Sequence, residues 1–328
     1  MTEKTDAECE EALRSFARIT GTDEACAHFF LQDVNWNLQD ALDAFHEAAK
    51  DIPEMKNSLP KNPSTSTGPS SSQAKSTAST FTLMSWNVDG LDSANLKTRF
   101  TAVCYIISQY LRISPDVVFL QEITPPLSKL LRENLGGEYS VLLASPNQEY
   151  FTGILLKPTV DYVSHACVPY AHTSMGRSME TRIFQAYIGG KKLRLLNTHL
   201  ESGADFSDTR TIQLKECFDQ LSCWDDGETF VVFGGDLNLR DKEVKDIPEG
   251  FQDAWVSSGS NKNMKFTWDT LKNDNKSVPP GPRCRFDRIF YKCNGAFSSV
   301  DFALEGKKRI RSSLCFPSDH WGIVVTFY

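Results

Sequence analysis

From residue 81 to the C-terminus, short apolar runs alternate with amphipathic stretches, and each has its own period. Residues 230–233 (FVVF) form an uninterrupted run of β-branched and aromatic residues, the length and content of a strand buried on both faces. Comparable runs predict strands over residues 81–86, 116–120, 139–143, 151–156, 162–168, 182–188, 193–198, 286–291 and 322–327. The period lengthens over residues 94–111, where Phe100, Val103, Ile107 and Tyr110 share a face. It does so again over residues 211–224, where Leu214, Cys217, Leu221 and Trp224 do. Residues 125–135 also read as a helix. Many strands with few intervening helices predict two sheets packed face to face with helices outside, rather than one parallel sheet.

The first 50 residues behave differently. Cys9, Leu13, Phe16 and Ala17 fit one helical face, Ala25, Cys26, Phe29 and Phe30 a second, and Leu38, Ala41, Leu42 and Phe45 a third. Asn37 and Asp40 have the spacing of a capping pair before the third helix, and Gly21 breaks the chain after the first. This is a minimal three-helix bundle. Residues 51–79 are nearly devoid of apolar side chains and rich in Ser, Thr and Pro. They cannot bury enough surface to offset chain entropy, which predicts a flexible tether. The expected organisation is a small bundle (1–50), a linker (51–79) and a large domain (80–328).

Charge refines this division. The net charge of −7 resides in the first 50 residues, with 11 acidic and 4 basic side chains, whereas residues 81–328 hold 29 and 28. A near-neutral large domain is compatible with a phosphate-bearing ligand, without long-range attraction to argue for one. No apolar run approaches the roughly 20 residues that span a bilayer, and residues 1–50 contain no apolar signal core, so neither membrane insertion nor secretion is expected. Nine scattered cysteines, with no CxxC pair, predict reduced thiols and no structural zinc.

Candidate chemistry clusters at the ends of the predicted strands. Asn87 and Asp89 follow the first (WNVDG), Gln121 and Glu122 the second (LQE), and His199 and Glu201 a later one (NTHLE). Asp236, Asn238 and Arg240 alternate after the FVVF run (GGDLNLR), and Ser318, Asp319 and His320 precede the last strand. Each motif alone is an ordinary loop; five in this order form a joint signal. WNxxG, LQE, NTHLE, GGDLN and SDHWG are similar to the endonuclease/exonuclease/phosphatase superfamily over essentially all of residues 81–328. That resemblance implies a four-layered α/β sandwich hydrolysing phosphodiester or phosphomonoester bonds with Mg²⁺. ITG at residues 19–21, AxxFL at 27–31 and WNLQDALDAF at 36–45 resemble a UBA-like domain, which implies ubiquitin binding through Ile19, Thr20 and Gly21.

The chemistry suits these residue types. A phosphodiester anion repels hydroxide, so a catalyst must neutralise nonbridging oxygens, supply a nucleophile and stabilise the leaving oxygen. Glu122 and Asp89 are hard ligands for one Mg²⁺, with Mn²⁺ as a substitute. Asp236 would orient and deprotonate water, with Asn238 positioning it, and His199 and His320 would donate to the phosphoryl oxygens. Asp287 matches the superfamily position that orients the second histidine, against the competing reading of an ion pair with Arg288. Asp319 adjoins His320 and belongs with the site. No residue is a natural covalent nucleophile, which predicts direct attack by water.

A more particular resemblance rests on WNVDGLD, the Pro-Pro after LQE, EYFTGILLK, THLES, GDLNLRDKEV, FTWDT and FPSDHWG, together with the UBA-like segment. It points to the 5′-tyrosyl-DNA phosphodiesterase family, which releases a topoisomerase tyrosine from a DNA 5′ end and leaves a 5′ phosphate. It implies a single-stranded end gripped by Tyr150, Trp268 and Phe286; without the resemblance, Trp268 and Phe286 would read as core residues. Asn87, Val88, Asp89, Gly90, Leu91, His199, Leu200, Glu201, Ser202, Asn238, Leu239, Arg240 and His320 would line the DNA path. Topoisomerase–DNA complexes and ubiquitin are the implied partners, with a monomeric catalytic domain acting in the nucleus and also in the cytoplasm. Gly203 and Ala204 stand where relatives carry an Arg, so a DNA contact there is not expected, and Arg210 lies too far along to replace it. The basic run Lys307, Lys308, Arg309 and Arg311 reads as a solvated loop. Two alternatives stay open: another phosphohydrolase of the superfamily, such as an abasic-site endonuclease or deadenylase, and a non-enzymatic ubiquitin-binding adaptor.

Overall fold

The structure, a computed structural model, describes residues 5–20, 27–28, 31–32, 34, 36–42, 80–109, 114–160, 162, 164–188 and 191–328. The chain divides into two units, Met1–Ala74 and Lys75–Tyr328. In the first, helix α1 (Asp6–Thr20) places Ala12 and Phe16 in a small core with Ala27, Leu31, Ala41 and Leu42. Asn37 caps the next helical turn as its spacing predicted: its Oδ1 accepts from the Gln39 amide at 3.0 Å and the Asp40 amide at 3.4 Å. Gly21 and the side chains of Ile19 and Thr20, the expected ubiquitin contacts, lie outside the described residues, as does the 51–79 tether.

The second unit is built on two six-stranded sheets. The first contains β1 (Phe81–Asn87), β2 (Val117–Ile123), β3 (Ser140–Leu143), β4 (Phe151–Leu156), β13 (Val300–Glu305) and β14 (Gly322–Phe327), in the order β13-β14-β1-β2-β4-β3. The second contains β5 (Ser164–Pro169), β6 (Ser178–Ile188), β7 (Lys191–His199), β8 (Phe230–Asp236), β9 (Gln252–Asp253) and β12 (Asp287–Lys292), in the order β5-β6-β7-β8-β12-β9. A short hairpin of β10 (Trp268–Asp269) and β11 (Arg283–Cys284) stands apart. The sheets are mixed: β1 runs parallel to β2 and antiparallel to β14, and β8 runs parallel to β7 and antiparallel to β12.

Alternation along the central strands produces the layers. Leu83, Phe119, Ile154, Leu195, Val232, Ile289 and Val325 fill one core between the sheets. Their neighbours Met84, Val118, Leu120 and Val324 point the other way, onto helices α2 (Leu96–Gln109) and α3 (Pro125–Leu135), while Val231, Phe233 and Phe290 face α4 (Ser207–Trp224). Two sheets flanked by helices are the four layers expected from the sequence. The sheets also share a buried polar layer. Gln121 Nε2 donates to Asn197 Oδ1 at 2.9 Å and to Ser85 Oγ at 3.2 Å, and Asn197 Nδ2 donates to the Gly153 carbonyl at 2.9 Å. Thr152 Oγ1 donates to Glu180 Oε2 at 2.8 Å. Such a network resists sliding of one sheet on the other, because a slip would leave buried groups unpaired.

The elements agree closely with those read from the sequence, including α3 and β4 at identical bounds. Missing from the sequence reading were β13, the two-residue strands β9, β10 and β11, and the single turn α5 (Ala254–Ser257).

Candidate active site

Register aligns the site. In the second sheet β8 pairs Asp236 with His199 of β7 on one side and Asp287 of β12 on the other, so three polar residues form a row at one sheet edge. In the first sheet Asn87 ends β1 opposite Gln121, and Glu122 follows at a register shift between β2 and β4. Three motif residues take left-handed backbone: Asp89 (φ 52°), Glu122 (φ 58°) and Asn238 (φ 51°). Non-glycine residues rarely adopt this conformation, which here turns the chain after β1 and β8 and breaks the register within β2 at Glu122. Gly90 lets that turn close, since a Cβ there would lie 2.0 Å from the Glu122 carbonyl oxygen.

Asn87 joins the two sheets at the site. Its Nδ2 donates to Glu122 Oε1 and to Asp236 Oδ2, both at 2.9 Å. Asp236 Oδ2 also lies 3.2 Å from His199 Nε2 and 3.8 Å from His320 Nε2, and its Oδ1 accepts from the Asn238 amide at 3.0 Å. Burial alone would raise the Asp236 carboxyl, but His320, His199 and the hydrogen bonds from His199 and Asn87 outweigh it and hold the group well below the usual carboxylate range. It is therefore ionised throughout the physiological range. It offers an incoming water a permanent acceptor and an orientation more than a strong driving force for proton removal.

His320 Nδ1 is 2.8 Å from Asp287 Oδ2, so Asp287 orients His320 as its motif position implied. Arg288 is engaged elsewhere, 2.7 Å from Asp241 and 3.6 Å from Asp253, which removes the competing ion pair. Burial opposes the imidazolium, yet Asp287, Asp236 and Asp319 together raise His320 well above its ordinary range.

Glu122 is pushed up to about 7, chiefly by burial, with Asp319 and Asp236 adding to the rise against the Asn87 hydrogen bond. A divalent cation would relieve this concentration of carboxylates, so the donor set fits a hard metal ion. Asp89 sits differently. Its Oδ1 is 2.7 Å from Lys276 Nζ and its Oδ2 3.3 Å from Arg99 Nη1; burial and Asp319 still push it to about 6. The structure therefore gives Asp89 two cationic partners of its own. Among the described residues, Asp236, Asp287 and His320 also bring potential ligand atoms within 4.8 Å of one another.

Trp268 and Phe286 are half-buried beside this centre, ring centroids 5.7 Å apart, and Phe286 lies 6.2 Å from the His320 ring. Trp268 Nε1 donates to Asp319 Oδ2 at 3.2 Å. Tyr150 stands on the other flank, 6.5 Å from His199. Arg240 is stacked 5.4 Å from the Phe286 ring while donating to the Asn238 and Gly203 carbonyls. Leu91 is exposed at the rim.

Other predicted contacts fall elsewhere. Val88, Leu200 and Leu239 are buried in the two outer cores, so any contact they make with a ligand runs through main chain. Glu201 is fully buried, accepting from the amides of Ser174 (2.6 Å) and Met175 (2.9 Å), from Thr173 Oγ1 (2.9 Å) and from Gln213 (3.1 Å), and Ser202 Oγ turns to Met175 Sδ at 3.2 Å. Arg210 is fully buried on Glu243 at 2.8 Å and donates to the Glu201 carbonyl at 3.1 Å, so it fastens the loop after His199 rather than facing solvent. Of the basic run, Arg309 pairs with Asp274 at 2.9 Å. Arg177 and Lys276 were not foreseen: each reaches the site from a loop without a recognisable motif.

A sequence profile of the Endonuclease/Exonuclease/phosphatase family matches residues 84–320, and one of the UBA-like domain matches residues 7–51. The chain is 42% identical to a 5′-tyrosyl-DNA phosphodiesterase of Caenorhabditis briggsae, over 97% of this chain and 90% of that protein. A crystal structure of TDP2 from C. elegans superposes with a TM-score of 0.72 at 38% identity, covering 100% of this chain and 95% of that one. A D. rerio TDP2 complexed with single-strand DNA product superposes at 0.70, with 36% identity over 76% of this chain and 99% of that one. A matched profile spanning most of the chain and relatives of this identity and coverage place the protein in the endonuclease/exonuclease/phosphatase family, within its 5′-tyrosyl-DNA phosphodiesterase branch.

Proposed function

We infer that the protein is a metal-dependent phosphodiesterase that hydrolyses the bond between a tyrosine and a DNA 5′ end, leaving a 5′ phosphate. The observation that carries this reading is the conjunction of a phosphohydrolase centre with aromatic rings on both flanks. Phe286 lies 6.2 Å from His320 and Tyr150 lies 6.5 Å from His199. Ring faces accept bases of any identity, which suits an enzyme that meets every sequence at a broken end.

Asp236 orients the attacking water and Asn238 supports that position. His320, a cation held by Asp287, donates to a nonbridging oxygen as charge develops, and the His199 Nε2–H, which rests on Asp236 in the free site, turns to donate from the other side. Asn87 keeps Glu122 and Asp236 in fixed relation across the two sheets. Enzymes of this family use a divalent cation; Mg²⁺, with Mn²⁺ as a substitute, fits Glu122 and the neighbouring Asp319, and when bound neutralises phosphoryl charge. Asp89, paired to Lys276 and Arg99, takes the supporting role of shaping this loop. Trp268, Phe286 and Arg240 grip the single strand, with Asn87, Asp89, Gly90, Leu91, Ser202 and the Leu239 main chain along its path.

The UBA-like domain is read as a ubiquitin-binding module bringing a monomeric catalytic domain to modified topoisomerase–DNA complexes in the nucleus, and also in the cytoplasm. The test is single-turnover cleavage of a 5′-phosphotyrosyl oligonucleotide beside an abasic duplex and poly(A), with Mg²⁺, Mn²⁺ or EDTA, for wild type and Asp236→Asn. Metal-dependent release of tyrosine, lost in the variant, supports the reading. Preference for abasic DNA or poly(A) overturns the substrate, and no turnover on any of them overturns the enzyme.

A further inference from the structure

The two histidines of the site have opposite kinds of partner. His320 Nδ1 faces a carboxylate, whereas His199 Nδ1 lies 2.7 Å from Arg177 Nη1. A guanidinium has donors only. The hydrogen bond can form only if Nδ1 of His199 is the acceptor, which leaves the ring proton on Nε2, the atom 3.2 Å from Asp236 Oδ2. We propose that Arg177 is a positioning residue of the reaction, fixing His199 as the neutral tautomer with its proton on Nε2 and aimed at Asp236.

The surroundings are built to hold this contact. Arg177 is only 7% exposed, and its guanidinium carbon lies 5.0 Å from the centroid of the Tyr150 ring. Its main chain is fixed by Thr173 Oγ1, which accepts from the Arg177 amide at 2.8 Å while donating to Glu201. Glu201, two residues after His199, captures the loop bearing Arg177 through the Ser174 and Met175 amides. The loop that directly follows the histidine thus also anchors the arginine that orients it, which explains why Glu201 is buried rather than on the ligand path.

The charged groups around His199 act in both directions. Burial and Arg177 lower it, with a smaller push from His320, while Asp236 raises it; the net is a drop to about 4. His199 therefore stays neutral, its one ring proton directed at the Asp236 carboxylate. Two imidazolium ions would sit about Asp236 if the partner of His199 were a carboxylate, and they would repel each other across it.

The role assigned to Arg177 rests on the proposed reaction, but its test has a readout independent of turnover. In protein labelled with ¹⁵N-histidine, nitrogen shifts distinguish the two neutral tautomers and the cation. His199 is expected to read as neutral with Nε2 protonated from pH 5.5 to 8. Arg177→Met should move the titration of His199 upward, while burial still holds it below an exposed imidazole, and should lower kcat on the order of 10²-fold with KM for the oligonucleotide little changed. Arg177→Lys, a donor-only replacement, should restore the neutral signature and part of kcat. Wild-type His199 protonated on Nδ1, or His199 signals unmoved in Arg177→Met, would overturn the proposal whatever the substrate proves to be. The wild-type spectrum alone decides the tautomer if the Met variant fails to fold.

Discussion

Asp287 Oδ2 lies 2.8 Å from His320 Nδ1 with both residues buried, and register places Asp287 directly beside Asp236. The carboxylate is therefore both an orienting acceptor and the largest source of positive character on the ring. Asp287→Asn keeps an acceptor and loses the charge. We expect kcat to fall on the order of 10²–10⁴-fold with KM nearly unchanged. The sign of the pH effect follows from the same shift. His320 is raised in the wild type, so its cation persists through neutral pH; in the variant the ring falls towards the ordinary range and activity declines earlier on the alkaline side. Steady-state pH profiles of both proteins check this, and an unmoved alkaline limb would assign the cation to another group.

Trp268 can be dissected because its ring and its N–H have different partners. The ring packs 5.7 Å from Phe286, and Nε1 donates to Asp319. Trp268→Phe preserves a stacking face and abandons the hydrogen bond, while Trp268→Ala removes both. If the ring grips a base, the Ala variant should weaken binding of a single-stranded substrate by ~1–3 kcal/mol, seen as a raised KM, and the Phe variant should recover most of it. Equal losses in the two variants would place the function in the Asp319 contact. Fluorescence anisotropy with a labelled oligonucleotide separates the binding part from turnover.

Much of this site was legible in sequence because its residues flank apolar runs whose ends are easy to find: Asn87, Glu122, His199 and Asp236 close such runs and His320 precedes one. Direction was not legible. Leu200, Leu239 and Val88 belong to the same motifs, yet alternation turns their side chains into the outer cores. Glu201 resembled a ligand-facing acid until its four donors were known, and Asp89 resembled a free metal ligand until Arg99 and Lys276 closed on it. Arg177 and Lys276 reach the centre through tertiary contacts from loops without periodicity, for which sequence carries no local signal. The fold shows the same limit: strong runs set the central strands, while β9, β10 and β11 have two residues each and are defined by their partners.

Arg210 and Arg240 lie on neighbouring loops and should fail in different ways. Arg210 is fully buried on Glu243 and holds the carbonyls of Glu201 and Gly203. Arg210→Ala strands a buried carboxylate and should cost ~3–5 kcal/mol of stability. Arg240 is partly exposed over Phe286, with no ion pair among the described residues. Arg240→Ala should leave the melting temperature within about 2 °C and weaken DNA binding, with the salt-dependence slope reduced by ~1. Urea melts and binding titrations at several salt concentrations check both, and a stable Arg210→Ala protein would show that the loop has another fastening.

Glu180 gives a pH dependence of stability that has no part in the chemistry. It lies fully buried in the polar layer between the sheets, where its Oε2 accepts from Thr152 Oγ1 at 2.8 Å and from Asn197 Nδ2 at 3.4 Å. Burial pushes it up to about 8, against both hydrogen bonds. The folded protein therefore holds a proton that the unfolded chain releases at an ordinary carboxyl pKa of ~4.3. Stability is fully present below that value and is lost as pH rises towards 8, because unfolding then frees a proton. The loss is on the order of 5 kcal/mol. Glu180→Gln mimics the protonated acid and keeps an oxygen for Thr152 and Asn197, so it should match wild type near pH 5 and exceed it near pH 8. At ~2–4 °C per kcal/mol for a domain of this size, calorimetry at the two pH values resolves the difference. A variant offset equal at both would mean that Glu180 carries no linked proton.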